Sequence, residues 1–333
     1  MTSDVQLTGP GIGEQAAIPG GLPPGPVAGR STLQLALARL RRDKVALVAG
    51  IVVLLLVALA IGAPAIAALT GHGRDQQFRT TGLSPDGFPV APSSTFLLGT
   101  DQQGRDVLVR TLYGARVSLV VGVVATAVAA LIGTTVGLIA GFVGGKTDTV
   151  LSRIIDIFLS FPFLLTALTL LTLNHDAVTG GTRHSPLLIV SGIIALFSWT
   201  YFARLVRGQV LSLREREFVE AARSLGAGPL RIMLVDVLPN LIGPVLVFVT
   251  LQIPVNVVLE STLSFLGVGV VAPTPTWGNM LSDAQSSGFY LTAPWFLLAP
   301  TVGLLITVLA FNLLGDGLRD ALDPRAARTM ARR

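Results

Sequence analysis

The sequence predicts an all-α integral membrane protein with six transmembrane helices, on three observations. First, of 333 residues 51% are hydrophobic and only 13% charged, with a mean hydropathy of +0.70; a soluble domain carries about a quarter charged residues. Second, six apolar runs are each long enough to cross a hydrocarbon core of about 30 Å. Third, the basic residues cluster at alternate ends of those runs.

The runs are 45–69, 117–143, 151–173, 187–206, 241–262 and 293–314. They are rich in Val, Leu, Ile, Ala and Gly without strand-like alternation. Helices satisfy their own backbone hydrogen bonds in lipid, so these are helices. Residues 1–30 hold Gly and Pro in excess and little that could pack, which predicts a disordered tail. The run after it is too long for a cleaved secretory signal. The cluster Arg39, Arg41, Arg42 and Lys44 before it favours a retained anchor, 31–69, with its N-terminus inside. Segment 70–116 then lies outside, 117–315 forms the core bundle with an inner loop at 207–240, and 316–333 is an inner C-terminal tail.

On that alternation, all of the 24 Lys and Arg fall inside except Arg74, Arg79, Arg105, Arg110, Arg116 and Arg183. The positive-inside rule accounts for the basic pI, so no nucleic-acid partner is implied. Trp277, Tyr290 and Trp295 are expected as interfacial aromatics near the outer end of the last span.

Enzyme chemistry finds little support. Cysteine is absent, which removes disulfides, thiol nucleophiles and thiolate metal sites. His72, His175 and His184 lie in outer loops without metal-ligand spacing. Lys44 and Lys146 sit at membrane ends, away from any serine in the bilayer. "GFVGGKT" at 141–147 imitates a phosphate loop, but Ala140 stands where its first Gly belongs and the stretch follows a span rather than a buried strand. The same stretch reads better as packing. Gly133, Gly137, Gly141 and Gly145 recur every four residues and form a smooth ridge for a neighbouring helix.

Polar residues within the spans are few. Gln252, Asn256 and Glu260 share one face of span five, where they either line a substrate path or bond between helices. Pro244 and Pro254 are expected to kink that span. Asp156 is expected to pair with Arg153. In 70–116 a loop should lead into an amphipathic helix capped by Thr100 or Asp101, with Asp106–Arg110 as an i,i+4 pair. Segment 263–292 is expected to fold back toward the pore.

The loop before span five is the exception to the apolar character. "EFVEAARSLGAGPLRIMLVDVLPN" (217–240) predicts two short amphipathic helices. Phe218, Ala221, Ala222 and Leu225 share a face of the first, flanked by an Arg216–Glu220 pair. Gly226 ends it and Pro229 opens the second, whose apolar face is Leu230, Met233, Leu234 and Val237. Pro239 interrupts the chain before the span.

Glu220-Ala221-Ala222, Gly226 and Val237-Leu238-Pro239 at their spacing resemble the EAA loop of ABC importer permeases, with Asp236 standing where that pattern has an apolar residue. "FLLGTDQQGRDVLVRTLYGARVSL" (96–119), "ESTLSFLGVGVVAPTPTWGNMLSDA" (260–284) and "NLLGDGLRDALDP" (312–324) look like the C-type subunit of the peptide/nickel branch. The resemblance runs from about residue 34 to 324. It implies a type-I ABC importer permease fold whose EAA loop is a cytoplasmic coupling helix. Arg216, Glu220, Ala221, Ala222, Arg223 and Gly226 would then contact an ATPase. It also implies partners: a second homologous permease subunit, two ATPase subunits that hold ATP and Mg, and an extracellular binding protein or lipoprotein. This chain itself would carry no cofactor or metal and would not be an enzyme. It would reside in a bacterial plasma membrane with both termini inside. Di- and oligopeptides are the leading cargo; nickel chelates, opines and haem are the other cargoes of similar systems. An ion-coupled secondary transporter would instead want repeated halves and midplane charges, and a scaffold would not need six spans.

Overall fold

The computed structural model describes residues 38–173 and 186–322. The tail 1–30, the start of the anchor to residue 37, His175, Arg183, His184 and residues 323–333 lie outside them. The described residues form nine α-helices: α1 (Lys44–Thr70), α2 (Val107–Val143), α3 (Gly145–Ser160), α4 (Phe163–Leu173), α5 (Pro186–Leu213), α6 (Glu217–Ser224), α7 (Pro229–Phe265), α8 (Trp277–Ser286) and α9 (Pro294–Leu322). Five of them, α1, α2, α5, α7 and α9, are long and apolar enough to cross a membrane.

The expected third span is not one straight helix. It is α3 and α4, bent by 82° at Phe161–Pro162. Pro162 has no N–H to continue the helical ladder, and it forces Phe161 into extended backbone (φ −79°, ψ 128°).

α2 is the central pole, about 55 Å long at 1.5 Å per residue. It starts ten residues before the apolar run because Asp106 caps it, accepting from the Val109 N–H at 3.2 Å. The glycine ridge on its far half packs against α5. A Cβ on Gly137 would stand 2.5 Å from the Ala203 carbonyl oxygen, and one on Gly141 2.8 Å from Val210 Cβ. Gly133 meets the Trp199 carbonyl and Phe202 in the same way. Gly145 is not part of the ridge. The chain leaves α2 through Gly144 (φ 70°), and Gly145 opens α3 with open space where its side chain would be.

α1 and α9 pack as a pair beside this core. Ala46 of α1 sits against Gly317 of α9, and Gly50 against Leu314. α1 exposes Leu54 and Ile61, an apolar surface suited to lipid.

Segment 71–106 contains no helix. It is a cap of turns over the start of α2 and α9. His72 Nδ1 lies 2.6 Å from Asp106 Oδ2, and its ring stacks on Phe96 and meets Phe78 edge-on. Asp101 does not cap a helix. It holds Arg105 at 2.6 Å, and Arg105 reaches Asp283 of α8 at 3.2 Å. Asp106 and Arg110 do not pair: Asp106 is spent on His72 and the α2 cap, while Arg110 turns to Asp101 and Asp75. Segment 263–292 returns to the bundle as α8, with Gly278 against the Ser261 backbone. Trp277 is not interfacial. It is 1% exposed, stacked on Gly303, and donates to the Thr111 carbonyl at 3.1 Å. Trp295 is partly buried and bonds the Thr100 carbonyl at 3.2 Å.

Candidate functional site

The loop between α5 and α7 folds as a rigid elbow at the end of the bundle opposite the cap. α6 has acidic residues, Glu217 and Glu220, in its first turn and Arg223 in its last, which suits the helix dipole. It closes in a Schellman motif: Gly226 N–H bonds the Arg223 carbonyl at 2.9 Å and Ala227 N–H the Ala222 carbonyl at 3.0 Å. That closure needs a left-handed residue, and Gly226 supplies it at φ 82°. Gly228 then extends the chain and Pro229 starts α7 at its first turn. These two positions behave as the sequence predicts.

Pro239 does not interrupt the chain. α7 runs through it by way of a π turn at Ile232–Val237. The wider turn absorbs the missing N–H and the bulk of the proline ring.

The faces of the elbow differ from the helical wheel. Val219, at 0% exposure, is the residue that α6 buries, with Ala222 half-buried beside it. Together with Ile232 and Val237 it packs on Leu138 and Phe142 of α2, Val206 and Val210 of α5, and Leu241. Phe218, Ala221 and Leu225, spaced i, i+3 and i+7, form a second stripe that points away from the protein. Leu225 is 88% exposed. Leu230 and Leu234 of α7 are likewise exposed, while Met233 is half-buried. Arg216, Glu220, Arg223 and Gly226 are all exposed, and no ion pair joins the Arg216 and Glu220 side chains. Arg223 lies 5.8 Å above the Phe142 ring. Arg214 Nη1 donates to the Gly141 carbonyl at 3.1 Å, so the end of α2 is tied to the same elbow. The result is a small knob, fixed from within and open outside, with leucines, Phe218 and acidic groups on its free face.

The midsection holds Gln252, Asn256 and Glu260 of α7. Asn256 is fully buried. Its Oδ1 accepts from Ser198 Oγ at 3.0 Å and Gln252 Nε2 at 3.2 Å, and its Nδ2 donates to Thr126 Oγ1 at 2.9 Å. One amide thus joins α2, α5 and α7. Glu260, also fully buried, accepts from Ser264 Oγ at 2.7 Å and Ser261 Oγ at 3.4 Å. Gln252 also borders a cavity. Asp156 pairs with Arg204 at 3.1 Å and not with Arg153, because α3 lies along α5. Asp148 with Arg207 forms a second such tie, absent from the sequence reading although both residues flank apolar runs.

Residues 133–328 match the family model for the binding-protein-dependent transport system inner membrane component, and residues 31–85 match the N-terminal TM domain of oligopeptide transport permease C. The chain belongs to the binding-protein-dependent transport inner membrane component family. It is 42% identical over 300 residues to the oligopeptide transport system permease protein OppC of Escherichia coli (strain K12), covering 90% of this chain and 93% of that protein. It is 39% identical over 290 residues to the dipeptide transport system permease protein DppC of Alkalihalophilus pseudofirmus, covering 87% and 89%. It is 40% identical over 287 residues to the glutathione transport system permease protein GsiD of Escherichia coli O6:K15:H31, covering 86% and 88%. The family model spans the glycine ridge, the broken span, the elbow, α7, α8 and α9, so the features above belong to the permease core. As a family member this is a multi-pass membrane permease component of an ABC importer.

Proposed function

We propose that this chain forms half of the translocation path of an ATP-driven peptide importer, with a second, homologous permease subunit forming the other half. Two separate ATPase subunits carry the ATP and Mg, and an extracellular binding protein or lipoprotein delivers the cargo. The distribution of Lys and Arg supports an orientation with the elbow and both termini in the cytoplasm of a bacterium and segment 70–116 outside. Peptides are favoured over nickel chelates, opines or haem because the relatives above are named for oligopeptides, a dipeptide and glutathione.

The elbow carries this reading. Its inner side is anchored by Val219, Ile232 and Val237, while its outer side offers Phe218, Glu220, Ala221 and Leu225 to a partner. Such a knob transmits displacement because it cannot rotate freely on its base. Closure of the ATPase pair changes what the outer face touches, and that difference in contact energy shifts the bundle between its two packings. Arg216 and Arg223 flank the contact, and Gly226 sets the angle between α6 and α7. A gradient-driven transporter has no use for an external knob of this kind.

The test is reconstitution. The chain, its second permease, the ATPases and the binding protein in proteoliposomes should take up peptide with ATP and not with an ion gradient alone. Gradient-driven uptake by the isolated chain would sink the proposal.

A further inference from the structure

The 82° break between α3 and α4 leaves a cavity of about 340 Å³ in its crook, closed on the other side by α5 and α7. That volume lies within the range of small-molecule pockets. Phe158, Phe161, Phe163 and Phe197 supply aromatic walls, and no charged residue lines it. Two buried polar side chains do: Ser198 and Gln252. Ser198 is committed to Asn256. Gln252 Nε2 donates one hydrogen bond to Asn256 Oδ1, and no described bond takes its amide oxygen. An unmet carbonyl facing only hydrocarbon is costly, so these groups are out of place on a plain lipid-facing wall. Tyr201 adds a further ring and a hydroxyl to the lining, and aromatic faces beside such acceptors match a peptide, which pairs apolar side chains with backbone N–H donors.

We propose that this cavity is a transit site for the cargo, in which the phenylalanines receive an apolar side chain and Gln252 Oε1 accepts a backbone N–H. The inference rests on the importer function proposed above and names the place in this subunit where the cargo is held. The absence of charge in the walls leaves the cargo's own charges unopposed, so the site grips without discriminating termini. Because the crook exists only while the span is bent, its capacity changes with the angle at Phe161–Pro162.

The chain has no cysteine, so Val255→Cys at the exposed rim gives it a single thiol. The assembled importer, with cysteine-free partners in proteoliposomes, is treated with a maleimide in the presence of triphenylalanine or triglycine. Triphenylalanine should slow labelling at least about fivefold, and triglycine, held by its backbone alone, clearly less. Gln252→Leu should raise KM about tenfold for both peptides, as loss of one hydrogen bond to the cargo predicts, beside a modest fall in melting temperature from its lost bond to Asn256. Phe161→Ala with Phe163→Ala should lower only the preference for triphenylalanine. If Gln252→Leu does not assemble, the thiol protection decides alone. A thiol that peptide leaves unprotected, or one that crosslinks to lipid while uptake continues, overturns the site. Absence of ATP-driven uptake by the unsubstituted importer overturns the importer function itself and the site with it.

Discussion

Arg207 grips Asp148 through both its Nε and its Nη2, the latter at 2.8 Å, so the start of α3 is bound to the end of α5. α3 has little else to hold it, since Ile155 is its only buried residue among those described. The second rung, Arg204–Asp156, is largely exposed and is worth about 0.5 kcal/mol or less. Asp148→Asn or Arg207→Met should therefore loosen α3 by about 1–2 kcal/mol, the worth of a partly screened bidentate pair. Arg204→Met should do almost nothing. Limited proteolysis between α2 and α3 and melting of the detergent-solubilised protein check this, and an equal effect of both arginines would contradict it.

The glycine ridge makes an asymmetric prediction. Gly137→Leu drives a side chain into the Ala203 carbonyl, where backbone cannot yield, and should cost more than about 2 kcal/mol or abolish folding. Gly145→Ala meets open space and should cost only the left-handed backbone penalty at φ 57°, about 1 kcal/mol. Similar losses at the two positions would mean that α2 and α5 are not in close contact.

The elbow separates anchoring from docking. Val219→Asp buries an unpaired carboxylate between α2, α5 and α7 and should detach α6, lowering the melting temperature and ATPase capture together. Leu225→Ala and Glu220→Lys change only the free face. They should leave the melting temperature within about 2 °C, as exposed substitutions do, yet reduce co-purification of the ATPase. Gly226→Val strains the Schellman closure and should reduce both. Normal capture and uptake by Leu225→Ala and Glu220→Lys would remove the coupling role from α6.

What could be read before the structure was what local chemistry dictates. Gly226 and Pro229 were legible because a helix end needs a left-handed residue and a helix start tolerates proline. The bundle of long apolar helices was legible because lipid demands such runs, and five of the six expected spans are single helices. Pro162 was equally visible, but it sits inside a run whose hydropathy continues on both sides, so the 82° break was hidden by composition. Val219 was masked by Phe218 and Leu225, since a helical wheel orders faces by hydrophobicity and cannot tell a face kept for the core from one kept for a partner. Trp277 is buried only because Gly303 makes room for its ring, and the Asp101–Arg105–Asp283 chain joins residues far apart in sequence. Neither has a local signature.

That chain gives a last prediction, in pH. Asp283 of α8 accepts from Arg105 at 3.2 Å. Burial raises its pKa above the ordinary carboxylate range, against the pull of Arg105 and Arg110, and Asp101 pushes in the same direction. A carboxyl raised in the folded state holds its proton more tightly there than in the unfolded chain. Its contribution to stability is full below the unfolded value, about 3.9, and is lost as pH rises through the folded value. Asp283→Asn cannot titrate. The melting temperature of the unsubstituted protein relative to Asp283→Asn should therefore fall as pH rises from about 3.5 toward 7. The comparison removes the titrations that both proteins share. A difference that instead grows with pH would mean that attraction to Arg105 outweighs burial, and would reverse the sign assigned to this carboxyl.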